Sequence, residues 1–355
     1  METKPRSFGS SLLVPCVQEL VKVPELNVPP RYIRPNQDPP IISNGDSAPE
    51  IPVIDLQSLF SSQSVDAELA KLHFACKDWG FFQLVNHGVS SSLLEKMKAE
   101  VQDFFNLPME EKKKFWQYPG EIEGFGQAFV VSEDQKLDWG DLFFMLTQPA
   151  HLRKSHLFPK LPVPFRETLE MYSTEVKNLT STILGQMAKA LNIKVEEMKE
   201  IFGDVRQSMR MNYYPPCPQP EQVIGLTPHS DATGLTILLQ VNDVEGLQIK
   251  KDGRWVTVKP VPDAIVVNIG DVLEIITNGA YRSIEHRAIV NSAKERLSIA
   301  AFHAPANDGE IGPASSLITQ ESPALFRRIG VQDYFRGLFS RELRGKSYLD
   351  SLRIE

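Results

Sequence analysis

Apolar and polar positions repeat with different periods in the two halves of the chain. In the first half, apolar residues recur at helical spacing over 67–79, 90–105 and 164–191, which predicts three amphipathic helices. Two shorter runs, 51–55 and 80–86, have the alternating or β-branched and aromatic character of strands. The first half is therefore expected to be a mainly helical support for the second.

After about residue 205 the pattern changes to short β-like runs separated by turn residues. These runs are 208–214, 235–240, 246–250, 255–259, 264–268, 282–290 and 296–302. Such closely spaced strands predict an antiparallel sandwich or barrel. The dipeptides Asp252-Gly253 and Asn278-Gly279 predict hairpin turns. Helical spacing returns near the end, at 323–326 and 331–343.

These changes of pattern predict four regions. Residues 1–50 are rich in proline, which fixes φ and removes backbone donors, so they are expected to form an extended N-terminal extension. Residues 51–204 form the helical region and 205–305 the β core. Residues 306–355 form a helical C-terminal tail.

Composition and charge exclude several classes of protein. The excess of 45 acidic over 38 basic residues argues against a nucleic-acid surface. No apolar run reaches the roughly 18 residues that a membrane span needs. The three cysteines are too few and too far apart for a disulfide framework, which favours a reducing compartment such as the cytoplasm.

A group of possible metal ligands begins with His229-Ser230-Asp231. In a strand, residues i and i+2 point to the same face, so His229 and Asp231 could reach one ion. About one such pair is expected by chance, and a capped loop histidine beside a turn aspartate is the alternative. His286, in a predicted strand, supplies a second imidazole. Two imidazoles and one carboxylate suit an iron(II) ion with open positions, whereas structural zinc favours four closed ligands.

Two further strands carry polar residues on one face. Arg296 and Ser298 share a face, and a guanidinium with a neighbouring hydroxyl suits a carboxylate. The alternative for Arg296 is a salt bridge on an edge strand. Upstream, Arg210, Asn212 and Tyr214 alternate with apolar residues, as expected for a strand that lines a polar site. A solvated face of an antiparallel sheet is the alternative there.

Together these motifs resemble the plant iron(II)- and 2-oxoglutarate-dependent dioxygenases. The resemblance runs from about residue 12 to the C-terminus and includes the segments 72–89, 211–218, 225–231 and 284–288. Two further segments, 12–20 and 312–318, are similar to the branch that contains alkaloid O-demethylases and senescence-related oxidoreductases.

This resemblance implies a mixed α/β fold with mainly antiparallel sheet, a distorted double-stranded β-helix (jelly roll) flanked by helices. It implies that iron is bound at a catalytic centre formed by His229, Asp231 and His286. It implies that 2-oxoglutarate is bound by Asn212, Tyr214, Arg296 and Ser298, and that Phe302 faces the organic substrate. Phe129 and Phe144 are expected to line the same pocket, because aromatic residues dominate such sites; core packing is the alternative.

The implied activity is oxidation of a C–H bond in a small plant specialised metabolite, by hydroxylation, O-demethylation or desaturation. Succinate and carbon dioxide are the expected co-products. Iron(II), 2-oxoglutarate and O₂ are the expected cofactor and co-substrates, with ascorbate keeping the iron reduced. We expect a cytoplasmic monomer without nucleic-acid or membrane partners. Two alternatives are an ascorbate-using oxidase of the same fold that does not use 2-oxoglutarate, and a catalytically silent metal- or ligand-binding protein.

Overall fold

The computed structural model of the protein describes residues 11–23, 27–35, 50–127, 130–340 and 345–354. Phe129, part of the Pro-rich opening and part of the predicted helix 331–343 lie outside the described residues. The described α-helices are α1 (Val17–Leu20), α2 (Val65–Phe74), α3 (Ser91–Asn106), α4 (Met109–Lys112), α5 (Val163–Ala190), α6 (Val195–Phe202), α7 (Asp271–Ile276), α8 (Val331–Phe339) and α9 (Ser347–Asp350). A π-helical turn, Ala75–Trp79, continues α2.

The described strands form two large sheets and one short pair. In chain order they are β1 (Val53–Asp55), β2 (Phe81–Val85), β3 (Gly124–Gly126), β4 (Asp141–Gln148), β5 (Arg206–Tyr214), β6 (Leu226–His229), β7 (Leu235–Gln240), β8 (Leu247–Lys251), β9 (Arg254–Thr257), β10 (Ile265–Ile269), β11 (His286–Ala288), β12 (Arg296–Ala304), β13 (Glu310–Ile311) and β14 (Ile329–Gly330).

The larger sheet has eight strands in the order β1-β2-β10-β7-β12-β5-β4-β3. β1 and β2 pair in parallel, whereas the other neighbours are antiparallel. The smaller sheet, β6-β11-β8-β9, is antiparallel throughout. The two sheets form the distorted double-stranded β-helix of a mixed α/β protein, as the sequence predicts.

The long helix α5 packs its apolar stripe against the larger sheet. Its start follows from Pro162 and Pro164, because a proline in the first turn lacks only an N–H that has no helical partner. Residues at helical spacing along one face are buried, including Leu169, Val176 and Ile183. The helix contacts α3, β4, β7 and β12. The predicted helices 90–105 and 164–191 are confirmed within one residue at each end.

The first half of the chain is less helical than predicted, because β1 to β4 extend the larger sheet at both of its edges. β4 had no strand prediction. Its residues Leu142, Phe143 and Met145 are buried on both faces of the sheet, so the alternation that indicates a half-exposed strand is absent. The N-terminal region therefore contributes strands to the sheet as well as helices beside it.

Two turn predictions have opposite outcomes. Asp252 and Gly253, with φ of +49° and +77°, join β8 to β9 in a two-residue hairpin, as predicted. The hairpin prediction for Asn278-Gly279 is wrong, because these residues follow the C-terminus of α7. Their positive φ angles terminate a helix, and the same residue types serve both purposes.

Two element predictions in the second half also need correction. Residues 323–326 are not helical; Phe326 instead forms an isolated β-bridge with Arg353. The strand predicted over 282–290 is shorter, since only His286–Ala288 pairs with neighbouring strands. None of the helices in the described part of the chain has the length and apolar character needed to cross a bilayer.

Candidate active site

Two histidines from neighbouring strands of the smaller sheet form one side of the site. His229 ends β6 and is directly paired with His286 on β11. His229 Nδ1–H donates to Thr227 O at 2.8 Å, and His286 Nδ1–H donates to Ile284 O at 3.1 Å. Since Nδ1 carries the proton in this arrangement, the Nε2 lone pair of each ring is free to bind a ligand.

Asp231 completes the cluster from the loop after β6. Its Oδ1 lies 3.6 Å from His229 Nε2 and 3.7 Å from His286 Nε2. All three side chains are buried. The fold therefore brings the His-x-Asp pair and the distant histidine together in space. The alternative interpretation, a capped loop histidine beside a turn aspartate, does not account for the position of the second histidine.

The charge states suit a divalent metal ion. Burial and repulsion from His229 lower the pKa of His286 to about 4, so this imidazole is neutral at pH 7. Burial disfavours the Asp231 carboxylate, but interactions with His286, His229 and Thr236 outweigh it and hold the pKa of this carboxyl well below its usual range. Two imidazole nitrogens and one carboxylate oxygen facing a common point match the donor set of an open iron(II) site.

A second buried group surrounds Arg296 on β12. β12 lies between β7 and β5, so Arg296 is not on an edge strand, as the alternative interpretation required. Its side chain is 2% exposed, and its Nε has no hydrogen-bond partner in the described part of the protein. Burial lowers the pKa of Arg296, and an interaction with the Tyr214 hydroxyl partly offsets this effect. A buried cation with an unpaired donor is suited to an anionic ligand.

Ser298 and Asn212 continue this polar surface beside Arg296. Ser298 is directly paired with Asn212, and Asn212 Nδ2 donates to Ser298 Oγ at 3.3 Å. Arg210 Nε donates to Asn212 Oδ1 at 2.6 Å and so fixes the orientation of the amide. Asn212 and Tyr214 are both buried, which excludes a solvated strand face for these two residues.

Strand register places both groups on one face of the larger sheet. Arg296 and Phe302 share a face of β12 because they are an even number of residues apart. Phe302 is directly paired with Thr236 on β7, which is paired with Asn268 on β10. Directly paired residues point to the same side, and both Thr236 and Asn268 donate hydrogen bonds to Asp231. The metal-ligand cluster and the polar group around Arg296, which we call the arginine pocket, therefore face the same space beside the larger sheet, which we call the cavity.

The structure describes two of the three aromatic residues that are predicted to contact a substrate. Phe302 and Phe144 are both partly exposed, and neither belongs to the buried hydrophobic core, unlike the adjacent Phe143. Phe144 is directly paired with Arg210, which lies on the cavity face of β5. Phe129 lies outside the described residues.

Sequence reasoning missed three residues that shape this cavity. Asn268 is the one polar residue of β10, and Thr236 stands between apolar residues of β7, a signal that was available in the sequence. Gly246 borders Arg296: a Cβ at this position would lie 2.7 Å from Arg296 Cδ and 2.8 Å from Ile289 O. Only glycine leaves room there for the arginine side chain, and no local sequence signal indicates this long-range contact.

The C-terminal segment contacts the loop that carries His229 and Asp231. Gly345 N donates to Pro228 O at 3.2 Å, and Ser230 N donates to Gly345 O at 3.3 Å. The Ser230 hydroxyl also donates to Asp271, whose pKa burial raises to about 7. The ligand loop is thus held between α7 and the C-terminal tail.

Two protein families match the sequence. Residues 205–305 match the 2OG-Fe(II) oxygenase superfamily. Residues 51–161 match the family described as non-haem dioxygenase in morphine synthesis N-terminal. The first of these segments contains all three residues of the metal-ligand cluster. It also contains the four residues that are predicted to bind 2-oxoglutarate, Asn212, Tyr214, Arg296 and Ser298.

Several plant proteins are similar over almost their whole length. Protein SRG1 of Arabidopsis thaliana is 65% identical over 100% of both chains. Oxoglutarate-dependent flavonoid 7-O-demethylase 1 of Ocimum basilicum is 56% identical over 99% of this chain and 94% of its own. Codeine O-demethylase of Papaver somniferum is 54% identical over 98% of both chains.

A solved structure shows the same fold with the expected ligands. It is JOX2 in complex with 2OG, Fe and JA, with a TM-score of 0.88 and 37% identity over 96% of this chain and 98% of JOX2. These comparisons do not favour an oxidase that works without 2-oxoglutarate or a silent binding protein. The chain belongs to the 2OG-Fe(II) oxygenase superfamily and is an iron(II)- and 2-oxoglutarate-dependent dioxygenase.

Proposed function

We propose that this dioxygenase removes a methyl group from a methoxy oxygen of a small aromatic plant metabolite. The observation that carries the reaction type is the buried His-Asp-His cluster on the same cavity face as Arg296, whose Nε has no hydrogen-bond partner among the described residues. The choice of O-demethylation rests on three demethylases that are each more than half identical to this chain. Stable hydroxylation of a ring or alkyl carbon is the second candidate, because it begins with oxidation of the same kind of C–H bond.

In this proposal His229 Nε2, His286 Nε2 and Asp231 Oδ1 bind iron(II). The two backbone carbonyls that accept from Nδ1 hold the rings in the tautomer that presents Nε2. Together with 2-oxoglutarate and O₂, the bound iron supplies the chemistry that oxidises a C–H bond. The protein contributes ligand orientation and a buried site from which water is largely excluded.

The arginine pocket is proposed to bind the far carboxylate of 2-oxoglutarate. Arg296 offers a charged fork with its Nε unpaired, and Ser298 and Tyr214 add hydroxyl groups beside it. Asn212 holds Ser298 in place through its amide. Burial of Arg296 strengthens its attraction to an anion, because little water competes for the guanidinium.

Phe302 and Phe144 are proposed to contact the organic substrate and direct its methoxy carbon towards the iron site. Oxidation of that carbon gives a hydroxymethyl ether, which breaks down to the alcohol and formaldehyde. One O₂ and one 2-oxoglutarate are consumed, and one succinate and one carbon dioxide are released for each methyl group removed. Partly exposed aromatic rings on a cavity face suit a flat, largely apolar substrate.

Further features of the protein remain proposals. We propose a cytoplasmic monomer that uses ascorbate to keep its iron reduced; the small number of dispersed cysteines supports the compartment. We also propose the division into an extension (1–50), an N-terminal region of helices and strands (51–204), a core (205–305) and a tail (306–355). Limited proteolysis with sedimentation analysis tests the division and the oligomeric state together.

The decisive assay measures succinate and formaldehyde with iron(II), 2-oxoglutarate and ascorbate. The substrate panel pairs methoxylated alkaloids and flavonoids with the same molecules bearing free hydroxyl groups. Equal amounts of succinate and formaldehyde, from the methoxylated members alone, are the expected result. Succinate with a hydroxylated product and no formaldehyde contradicts demethylation but keeps the dioxygenase activity.

A variant pair tests the aromatic contacts. Phe144→Ala is expected to raise the KM for the organic substrate while leaving the KM for 2-oxoglutarate unchanged. Phe60→Ala serves as the matched control, since Phe60 is an exposed phenylalanine outside the cavity. Equal KM values for Phe144→Ala and the unmodified enzyme would remove Phe144 from the substrate site.

A further inference from the structure

The two carboxylate oxygens of Asp231 have different surroundings. Oδ2 accepts a hydrogen bond from Thr236 Oγ1 at 2.6 Å and another from Asn268 Nδ2 at 2.7 Å. Oδ1 instead faces the two histidine Nε2 atoms. Short bonds of this kind to a charged acceptor are the strong ones among protein hydrogen bonds. One oxygen is thus held by the protein and the other is left for a ligand.

The two donors are fixed by the larger sheet. Thr236 and Asn268 are directly paired across β7 and β10, and both are buried. Their spacing is therefore set by the backbone ladder. The main chain of Asp231 is held as well, because its carbonyl oxygen accepts from Asp271 N at 2.7 Å. Rotation of the carboxylate to present both oxygens would break two hydrogen bonds and leave two buried donors unpaired, and an unpaired buried donor is unfavourable.

We infer that Thr236 and Asn268 are positioning residues that make Asp231 a one-oxygen ligand. This inference rests on the proposed iron-binding role of Asp231, His229 and His286. A ligand that binds through both oxygens would occupy a position that an open iron(II) site needs for its reagents. By holding Oδ2, the two residues keep that position free, and they fix the direction in which Oδ1 points.

Metal affinity measured without turnover tests the inference. Cobalt(II) is titrated into metal-free protein under argon, by calorimetry and by the visible absorption of the bound ion. Thr236→Val and Asn268→Ala are each expected to weaken cobalt binding by about 10- to 100-fold and to change the absorption spectrum, since outer partners of metal ligands have effects of this size. Thr236→Ser keeps the hydroxyl and is expected to restore both the affinity and the spectrum.

A matched control separates positioning from general damage to the core. Thr180→Val removes another buried threonine hydroxyl, one that donates to Val176 O within α5, and is expected to leave cobalt binding unchanged. Thermal unfolding of each metal-free variant reports whether the fold persists. Unchanged cobalt affinity and spectrum in both folded Thr236→Val and folded Asn268→Ala would overturn the inference.

A measurement on the unmodified protein covers the case in which these variants fail to fold. The infrared difference spectrum between cobalt-loaded and metal-free protein reports the separation of the two carboxylate stretching bands. A wide separation is expected for one-oxygen binding, and a narrow, two-oxygen signature would overturn the inference. Failure of the proposed metal site gives a different result, because His229→Ala would then bind cobalt as the unmodified protein does.

Discussion

The metal-ligand cluster and the arginine pocket are both buried on one cavity face, but their polar atoms are satisfied differently. At the cluster, each histidine Nδ1 has a carbonyl partner and Asp231 Oδ2 has two donors. At the arginine pocket, Arg296 Nε has no hydrogen-bond partner in the described part of the protein. The first region is held by the protein's own hydrogen bonds, and we expect the second to be completed by a ligand.

This difference fits the two ligands proposed for these regions, a metal ion and a dicarboxylate. A metal ion binds through a few atoms whose directions must be right beforehand, so outer hydrogen bonds hold those atoms in place. A dicarboxylate supplies hydrogen-bond acceptors of its own. A buried donor without a partner is unfavourable in the ligand-free protein, and pairing with the ligand removes that unfavourable term on binding. We therefore expect changes at the cluster to act through metal binding, and changes at the arginine pocket to act through the co-substrate.

The largest expected effect is at the metal-ligand cluster. Asp231→Ala removes a proposed metal ligand, so turnover is expected to fall by more than about 100-fold. Loss of a residue that only hydrogen-bonds a metal ligand can already lower activity by about that factor. Cobalt binding should be lost in the same variant. Asp243→Ala, which changes an exposed aspartate, is the control. Turnover like that of the unmodified enzyme in purified Asp231→Ala would remove this residue from the site.

The next effect distinguishes the second region from the first. Arg296→Lys replaces the forked guanidinium with a point charge, so one hydrogen bond to the carboxylate is expected to be lost. A hydrogen bond to a charged group contributes about 1.5–3 kcal/mol. The apparent affinity for 2-oxoglutarate is therefore expected to fall by about 10- to 100-fold. Cobalt affinity should not change. Initial rates against 2-oxoglutarate concentration measure the effect, with exposed Arg254→Lys as the control. If cobalt binding also weakens, the two regions are not independent.

A third prediction extends the comparison to another buried and satisfied group, His303. Its Nδ1–H donates to Leu235 O and its Nε2 accepts from Gln207 Nε2, and burial lowers its pKa to about 3. In the unfolded chain this imidazole becomes protonated below about pH 6.5, whereas in the folded protein it stays neutral until the pH approaches 3. The contribution of His303 to the free energy of unfolding is therefore greatest above pH 6.5 and is lost as the pH falls towards 3. The loss from this group is at most about 1.4 kcal/mol per pH unit.

Denaturant unfolding at several pH values measures this slope. His303→Gln removes the titrating group, so the free energy of unfolding of this variant should fall less steeply below pH 6.5. This expectation holds whatever the stability of the variant is at pH 8. His151→Gln, at an exposed histidine, should leave the slope as it is. A His303→Gln slope equal to that of the unmodified protein would mean that the buried imidazole does not control acid stability.

The smallest expected effect concerns the tail that holds the ligand loop. Lys346 donates to Glu274 Oε2 and to Ser283 O, both at 2.6 Å, next to Gly345. Lys346→Met should lower the free energy of unfolding by about 1 kcal/mol, the low end for a buried partner, because Glu274 keeps its bond from Arg353. Urea unfolding measures it, and Lys114→Met, at an exposed ion pair, should change less. A loss no larger than that of Lys114→Met would mean that this contact does not anchor the tail.

Much of the cavity could be predicted from strand alternation and motif spacing. Parity on β12 puts Arg296, Ser298 and Phe302 on one face, and parity on β5 does the same for Asn212 and Tyr214. Alternation fails where a strand is buried on both faces, and β4 was missed for that reason. Local turn chemistry fails where one dipeptide serves two purposes, as at Asn278-Gly279.

The sequence by itself determined the residue types of the site, the faces of its strands and the family. Only the tertiary structure decided which strands are neighbours, because pairing of β5 with β12 and of β7 with β10 joins residues far apart in the chain. That pairing brings Thr236 and Asn268 to Asp231, and packing makes Gly246 necessary beside Arg296. Hydrogen bonds and close contacts depend on distances between residues in space. A local pattern of apolar and polar residues specifies only the face of a strand or helix to which each side chain points.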